Sequence, residues 1–151
     1  LKQFKKIKRS MKGMKFENKD IKLNISTYSD KHLCISFETK EEGFEEPVAV
    51  ITKDFDTILK PYTQFVTHEQ ILKMLEKENL GLLAGTGLKG TDTYPLVMFN
   101  PQKLAEENIE GLEVYERLNK LTENDRKDYS MHYKAVKNAK RNRVNEVEYE
   151  Q

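Results

Sequence analysis

A chain of 151 residues has room for one compact domain with an appendage, and not for two sizeable cores. With 37% apolar residues, 34% charged residues and no Trp, it specifies a lean core under a heavily charged surface. One cysteine, Cys34, excludes an intrachain disulfide and suits a cytoplasmic setting, and no apolar run nears the roughly 18 residues that a spanning helix needs.

The net charge of +1 conceals a polarity. Residues 1–16 hold seven cations and no acid, and residues 126–143 hold seven cations against Asp128 alone. Residues 17–125 between them are acidic, with a net −9. At physiological salt, with a Debye length of about 8 Å, these regions act as separate electrostatic objects.

In chain order, Leu1, Phe4, Ile7, Met11 and Met14 stand three or four apart among lysines, the spacing of a basic amphipathic helix. Because the chain starts with Leu and offers Met11 and Met14 just ahead of the first strand, residues 1–13 are expected to be a poorly ordered basic leader without assigned function. From Phe16 the period becomes two. Ile21, Leu23 and Ile25 alternate with polar residues, Tyr28–Lys31 reads as a turn, and Leu33, Ile35 and Phe37 resume the alternation around Cys34. This predicts a β-hairpin, an acidic loop over 41–46, and a third strand opened by Pro47. A short fourth strand is expected over 62–66.

Thr67 and Gln70 have the spacing of a reciprocal helix cap, which predicts a helix over 68–79 with Ile71, Leu72 and Leu75 on its apolar face. Asn79 and Gly81 suit its termination. A glycine-rich connection over 81–90 then leads to a strand at 94–99, which Pro95 should push to a sheet edge or a bulge. Asn100 and Pro101 are placed to cap and open another helix. Leu112, Tyr115, Leu118 and Leu121 make a helical stripe, Thr122–Asp125 offers a fresh cap, and Tyr129, Tyr133 and Val136 continue it. Residues 144–151 are expected to fray.

Gly85-Thr86-Gly87-Leu88-Lys89-Gly90 spells Gly-x-Gly-x-x-Gly. A dinucleotide site needs that string between a buried strand and a helix, whose first N–H groups hold the pyrophosphate. Here a helix precedes and a strand follows. Both flanks are wrong, and Lys89 precedes Gly90, so the phosphate loop with Gly-Lys-Ser/Thr is absent too. The glycines are expected to supply positive φ in a connection, and its free N–H groups with Lys89 leave open a weak anion site at Gly85, Thr86, Gly87, Lys89 and Gly90. That site would belong to an anion- or nucleotide-binding small enzyme.

His32, His68 and His132 lack metal-ligand spacing, so no metal is assigned. Asp54 and Asp56 have the look of a turn more than of paired catalytic carboxylates. No catalytic residue and no cofactor is expected. On a helix over 124–143, Lys127, Lys134, Lys137 and Arg141 recur at steps of three, four or seven, and with Lys140 they make an electrostatic footprint for a phosphate backbone. The plain alternative is a solvated helix face with cations near its C-terminus.

Pro47-Val-Ala-Val-Ile-Thr52, Glu78-Asn79-Leu80-Gly81, Thr86-Gly87, Gly90, Tyr94-Pro95-Leu96, Phe99-Asn100 and Lys103-Leu104 resemble an uncharacterised domain family of small proteins from conjugative and other mobile elements of low-GC Gram-positive bacteria. The resemblance spans roughly 20–105 and departs at Leu80, where many members carry another glycine. It implies a genomic context and no activity.

The expected fold is α+β: a mainly antiparallel sheet of four or five strands with one packed helix, then a C-terminal amphipathic helical tail. The divisions are a leader at 1–13, a domain at 14–107, a tail at 108–143 and a frayed end at 144–151. The expected function is that of a non-enzymatic accessory protein binding a protein partner, with self-association through the tail as one form of it. Nucleic-acid binding by the basic helix is the alternative.

Overall fold

The computed structural model describes residues 8–10, 13–16, 19–39 and 47–150, with side chains over 20–39 and 49–143. Most of the basic leader and the acidic loop at 41–46 lie outside the described residues.

Two short strands, β1 (Lys8–Ser10) and β2 (Gly13–Phe16), pair as a hairpin where three-four spacing points to a helix. β3 (Lys19–Thr27) and β4 (Leu33–Thr39) form the hairpin that alternation predicts, in the register Leu23↔Phe37 and Ile25↔Ile35. Lys31, at φ 74, closes its turn by donating from its N–H to the Tyr28 carbonyl at 2.9 Å. β5 (Pro47–Val50) completes a five-stranded antiparallel sheet in the order β1-β2-β3-β4-β5.

Buried Ile51 then carries the chain into a second antiparallel sheet. It consists of β6 (Thr52–Lys53), β7 (Thr63–Val66), β8 (Gly81–Lys89) and β9 (Asp92–Phe99), in the order β6-β7-β9-β8. The α+β, antiparallel character is as expected, with the strands shared between two sheets. Gln64, fully buried, joins them by donating from Nε2 to the Leu33 carbonyl at 2.9 Å.

The stretch expected as a connection at 81–90 is the strand β8. Only Gly90 of its glycines has positive φ, at 64°, as the first residue of a two-residue hairpin turn between Lys89 and Asp92. Pro95 sits in β9, an interior strand and not an edge. The β7–β9 ladder ends at Phe65↔Leu96, so the missing N–H of Pro95 disrupts no pair there, and a register shift at Leu83/Gly85 bulges the neighbouring strand.

Helix α1 (Glu69–Lys77) starts without the Thr67–Gln70 cap. Its N-cap is His68, which makes no side-chain cap bond, because the Thr67 N–H is held by the Ile51 carbonyl at 3.0 Å as an extension of the β6–β7 ladder. Asn79, at φ 60, ends the turn as expected. Helix α2 (Pro101–Leu118) opens on Pro101 with the Asn100 side chain accepting from the Lys103 N–H, as the sequence predicts. It kinks at Asn108 (φ −159, ψ 84), whose side chain caps the second half by accepting from the Gly111 N–H at 3.0 Å.

That second half lies on β3, with Leu112 and Tyr115 buried. Leu104, Leu112 and Tyr115 join Ile21, Leu23, Ile35, Phe37, Leu75, Val97 and Phe99 in one core, each apolar side chain contributing about 1.5–3 kcal/mol by its burial. α2 is therefore part of the domain body. Helix α3 (Glu123–Glu150) runs on through residues 144–150 and is about 42 Å long at 1.5 Å per residue. Its start carries the predicted cap, with the Asp125 N–H donating to Thr122 Oγ1 at 3.1 Å and the Thr122 N–H to Asp125 Oδ2 at 2.7 Å.

Candidate functional site

Polar contacts fix α3 against the rest of the domain. Arg126 donates from Nε to Glu116 Oε2 at 2.8 Å and from Nη2 to Glu116 Oε1 at 2.6 Å, a two-pronged pair with Glu116 only 4% exposed. The Tyr62 hydroxyl donates to the same Oε2 at 2.6 Å, and burial followed by the Glu116 contact pushes its pKa far upward. The Tyr62 backbone, at φ 62, is held by the Tyr115 hydroxyl accepting from its N–H at 3.0 Å. Farther along α3, Tyr133 is buried, Lys137 Nζ donates to Asn79 Oδ1 at 2.6 Å, and Lys140 Nζ donates to the Leu83 carbonyl. The helix thus crosses the end of the second sheet from Tyr62 to β8.

Between α3 and the outer face of that sheet lies a cleft of about 840 Å³. Its floor includes Leu83, Ala84, Leu96 and Met98, its α3 wall Asp128, Tyr129, His132 and Val136, and its opposite rim residues 58–61. Ile58 on that rim is 98% exposed. The lining is mainly apolar, with Lys60, Asp128 and His132 as polar punctuation.

Beyond the cleft, the same face carries an aromatic group. Phe55 stacks on Phe65 with centroids 4.1 Å apart and meets Tyr94 edge-on at 5.6 Å. Lys89 Nζ lies 5.8 Å from the Phe55 centroid, and Lys53 Nζ 5.8 Å from that of Tyr94. Gly87 is glycine because a Cβ there would fall onto the Phe65 ring, whereas at Gly85 it would meet Leu96 at an ordinary 3.7 Å.

Gly85, Thr86, Gly87, Lys89 and Gly90 stand on the strand β8 and its turn, where the sequence predicts an open connection. Phe99 donates its N–H to Tyr62 and Asn100 to Leu80, so odd residues of β9 face β7 with their main-chain groups and even ones face β8. The register pairs Leu96, Tyr94 and Asp92 with Gly85, Gly87 and Lys89, whose main-chain groups are thereby committed to β9. No nest of convergent N–H groups forms there.

The basic set is divided by the helix it stands on. Lys137 and Lys140 turn toward the domain, while Lys127, Lys134 and Arg141, seven residues apart, line an exposed flank. His132 borders the cleft and His68 caps α1. Cys34 is a half-buried strand residue. Asp56 is exposed, and the structure does not join it to Asp54 as a catalytic pair.

Sequence spacing gives no sign of the group at Asp30, His32 and Asp54, whose members meet only through the fold. His32 Nδ1 lies 2.7 Å from Asp54 Oδ1 and 3.0 Å from Asp30 Oδ2, and Gln64 Nε2 donates to Asp54 Oδ1 at 3.0 Å. Burial raises the Asp54 pKa, but hydrogen bonding in its group with Asp30, Gln64 and His32 outweighs it and holds the carboxyl below its usual range. One ligand atom from each of the three lies within 4.8 Å of the others. With His32 and Gln64 already satisfying Asp54, the group works as a tie between the β3–β4 hairpin and the second sheet.

The class is therefore an α+β domain of two antiparallel sheets, with a cleft roofed on one side by its C-terminal helix. Residues 22–119 match the model of a domain of unknown function, DUF4313, and the chain belongs to that family. The match takes in α2 and ends before α3. No curated protein and no solved structure matches the chain. Among the described residues, no helix is long and apolar enough to cross a membrane.

Proposed function

We propose that this chain is a non-enzymatic accessory protein that acts by holding a segment of a protein partner in the cleft between α3 and the second sheet. The observation that carries the reading is the cleft itself, apolar, about 840 Å³, and rimmed by an Ile58 that is 98% exposed. Its floor at Leu83 and Ala84 is continuous with the outermost strand, which favours an extended polypeptide over a small enclosed ligand. A setting in a mobile genetic element, with conjugation machinery or a host defence system supplying the partner, is supported by the sequence resemblance alone.

The test is affinity capture from native host lysate with the full chain, beside Leu83→Glu and Val136→Glu variants that place a charge in the cleft. A partner retained by the parent chain and lost by both variants is expected. Nothing captured, or capture indifferent to both charges, overturns the reading.

A second reading is nucleic-acid binding, favoured by Lys127, Lys134 and Arg141 standing exposed on one flank of α3 with no ion-pair partner among the described residues. Changing these three to Gln should abolish a salt-sensitive mobility shift, and changing Lys137 and Lys140 should not. A shift that survives loss of the exposed three, or no shift at low salt, removes it.

A further inference from the structure

β8 has an open side. The N–H and C=O groups of Thr86 and Leu88 point away from β9, and among the described residues nothing accepts from or donates to them. Over the part of α3 whose side chains are described, Lys140 meets the outward Leu83 carbonyl at the near end of this edge. Edge strands of soluble proteins are ordinarily blunted by charge, by proline or by a cover, since unpaired rungs template a further strand. Here the sole charged residue between Glu78 and Asp92 is Lys89, and Leu88 is 67% exposed. The bulge at Leu83/Gly85 lies upstream of the open rungs and does not protect them.

We infer that this edge is the docking strand for an extended acidic segment of a partner protein, which adds to the second sheet beside β8. The inference rests on the protein-binding reading and specifies its chemistry. Main-chain groups of Thr86 and Leu88 supply the ladder bonds, and apolar side chains of the incoming strand reach Leu88 and, past Leu83, the cleft. Charge selects the occupant. Lys140 stands at the near end of the edge with exposed Arg141 and Arg143 within a turn of it, Lys89 stands at the far end across from Asp92, and no acid lies on β8 itself. A second copy of β8 would bring these cations against their own kind, so the charge layout disfavours self-pairing.

The experiment is backbone-amide NMR of the full chain titrated with a synthetic eight-residue peptide alternating glutamate and valine, and with its lysine–valine counterpart. The glutamate peptide is expected to shift the Thr86 and Leu88 amides and to slow their hydrogen exchange at least tenfold, and the lysine peptide to leave both unchanged. Thr86→Pro removes an outward N–H and no β8–β9 bond, so it should weaken binding at least tenfold with an unchanged melting temperature. Leu88→Glu blunts the edge without touching the backbone and should do the same, which keeps the test sound if the proline variant fails to fold. Equal binding by both variants, equal response to the lysine peptide, or no response to either peptide overturns the inference. So does a concentration-dependent dimer abolished by Leu88→Glu, which would assign the edge to a second copy. A lysate partner captured equally by the parent chain and Leu88→Glu, but lost on Leu83→Glu and Val136→Glu, sinks the strand inference and leaves the protein-binding reading standing.

Discussion

Arg126 holds Glu116 by two hydrogen bonds of 2.8 and 2.6 Å, and this pair fastens α3, which lies beyond the family match, to α2 within it. Glu116 has a side chain 5% exposed and Arg126 one 15% exposed, so the pair is largely desolvated. Removing one partner of such a pair leaves an uncompensated charge, and that loss exceeds the net worth of the pair. Arg126→Ala should therefore destabilise the chain by about 3 kcal/mol. Tyr62→Phe leaves the ion pair intact and should cost about 1.5–2 kcal/mol. Urea unfolding of both variants checks the order, and a larger effect from Tyr62→Phe would contradict it.

Gly111 sets how closely α2 approaches the first sheet. A Cβ at that position would collide with the Ile25 carbonyl, a backbone atom that cannot swing aside. Gly111→Ala gains helix propensity but must lift α2 from β3, with an expected net loss of about 1–3 kcal/mol. Thermal melting beside an exposed α2 substitution such as Glu113→Ala isolates the effect.

The two glycines inside β8 should behave oppositely. Gly87→Ala displaces Phe65 from its stack on Phe55 and should cost about 1–3 kcal/mol. Gly85→Ala meets only ordinary contact at Leu96 and should be neutral, or stabilising by about 0.5–1 kcal/mol through lost chain freedom. Equal sensitivity at both positions, in unfolding measurements, would argue against this account of the strand.

Acid should loosen the tie at Asp54. Its folded pKa is depressed from 3.8, so its contribution to stability is fully present above that value and is lost as pH falls through the folded one. Asp54→Asn should be less stable than the parent chain at pH 7, with the difference shrinking below about pH 4. Urea midpoints across pH 2–7 measure this, and a difference that grows on acidification would reverse the assigned sign.

Where local chemistry decides the structure, the sequence is a good guide. The alternation of Ile21, Leu23 and Ile25, the Asn100–Pro101 start of α2 and the Thr122–Asp125 cap each depend on residues within a few positions of one another. Where the decision is tertiary, local pattern misleads. Gly87 breaks the alternation of β8 because the space above it belongs to Phe65, a residue from another strand. Thr67 loses its capping role to a ladder bond with Ile51. Likewise, the spacing of the α3 cations says which share a flank, and only the packing of Tyr133 tells which flank faces the domain.

The cleft draws its two sides from different parts of the chain. Leu83, Ala84, Leu96 and Met98 lie within residues 22–119, while Asp128, Tyr129, His132 and Val136 stand on the helix beyond. A chain sharing the family domain but continuing into another C-terminal sequence would keep the floor and exchange the wall. The floor is thus set by the family domain and the wall by the helix that follows it, so the shape and charge of the cleft can change through α3 with the fold-bearing residues left as they are.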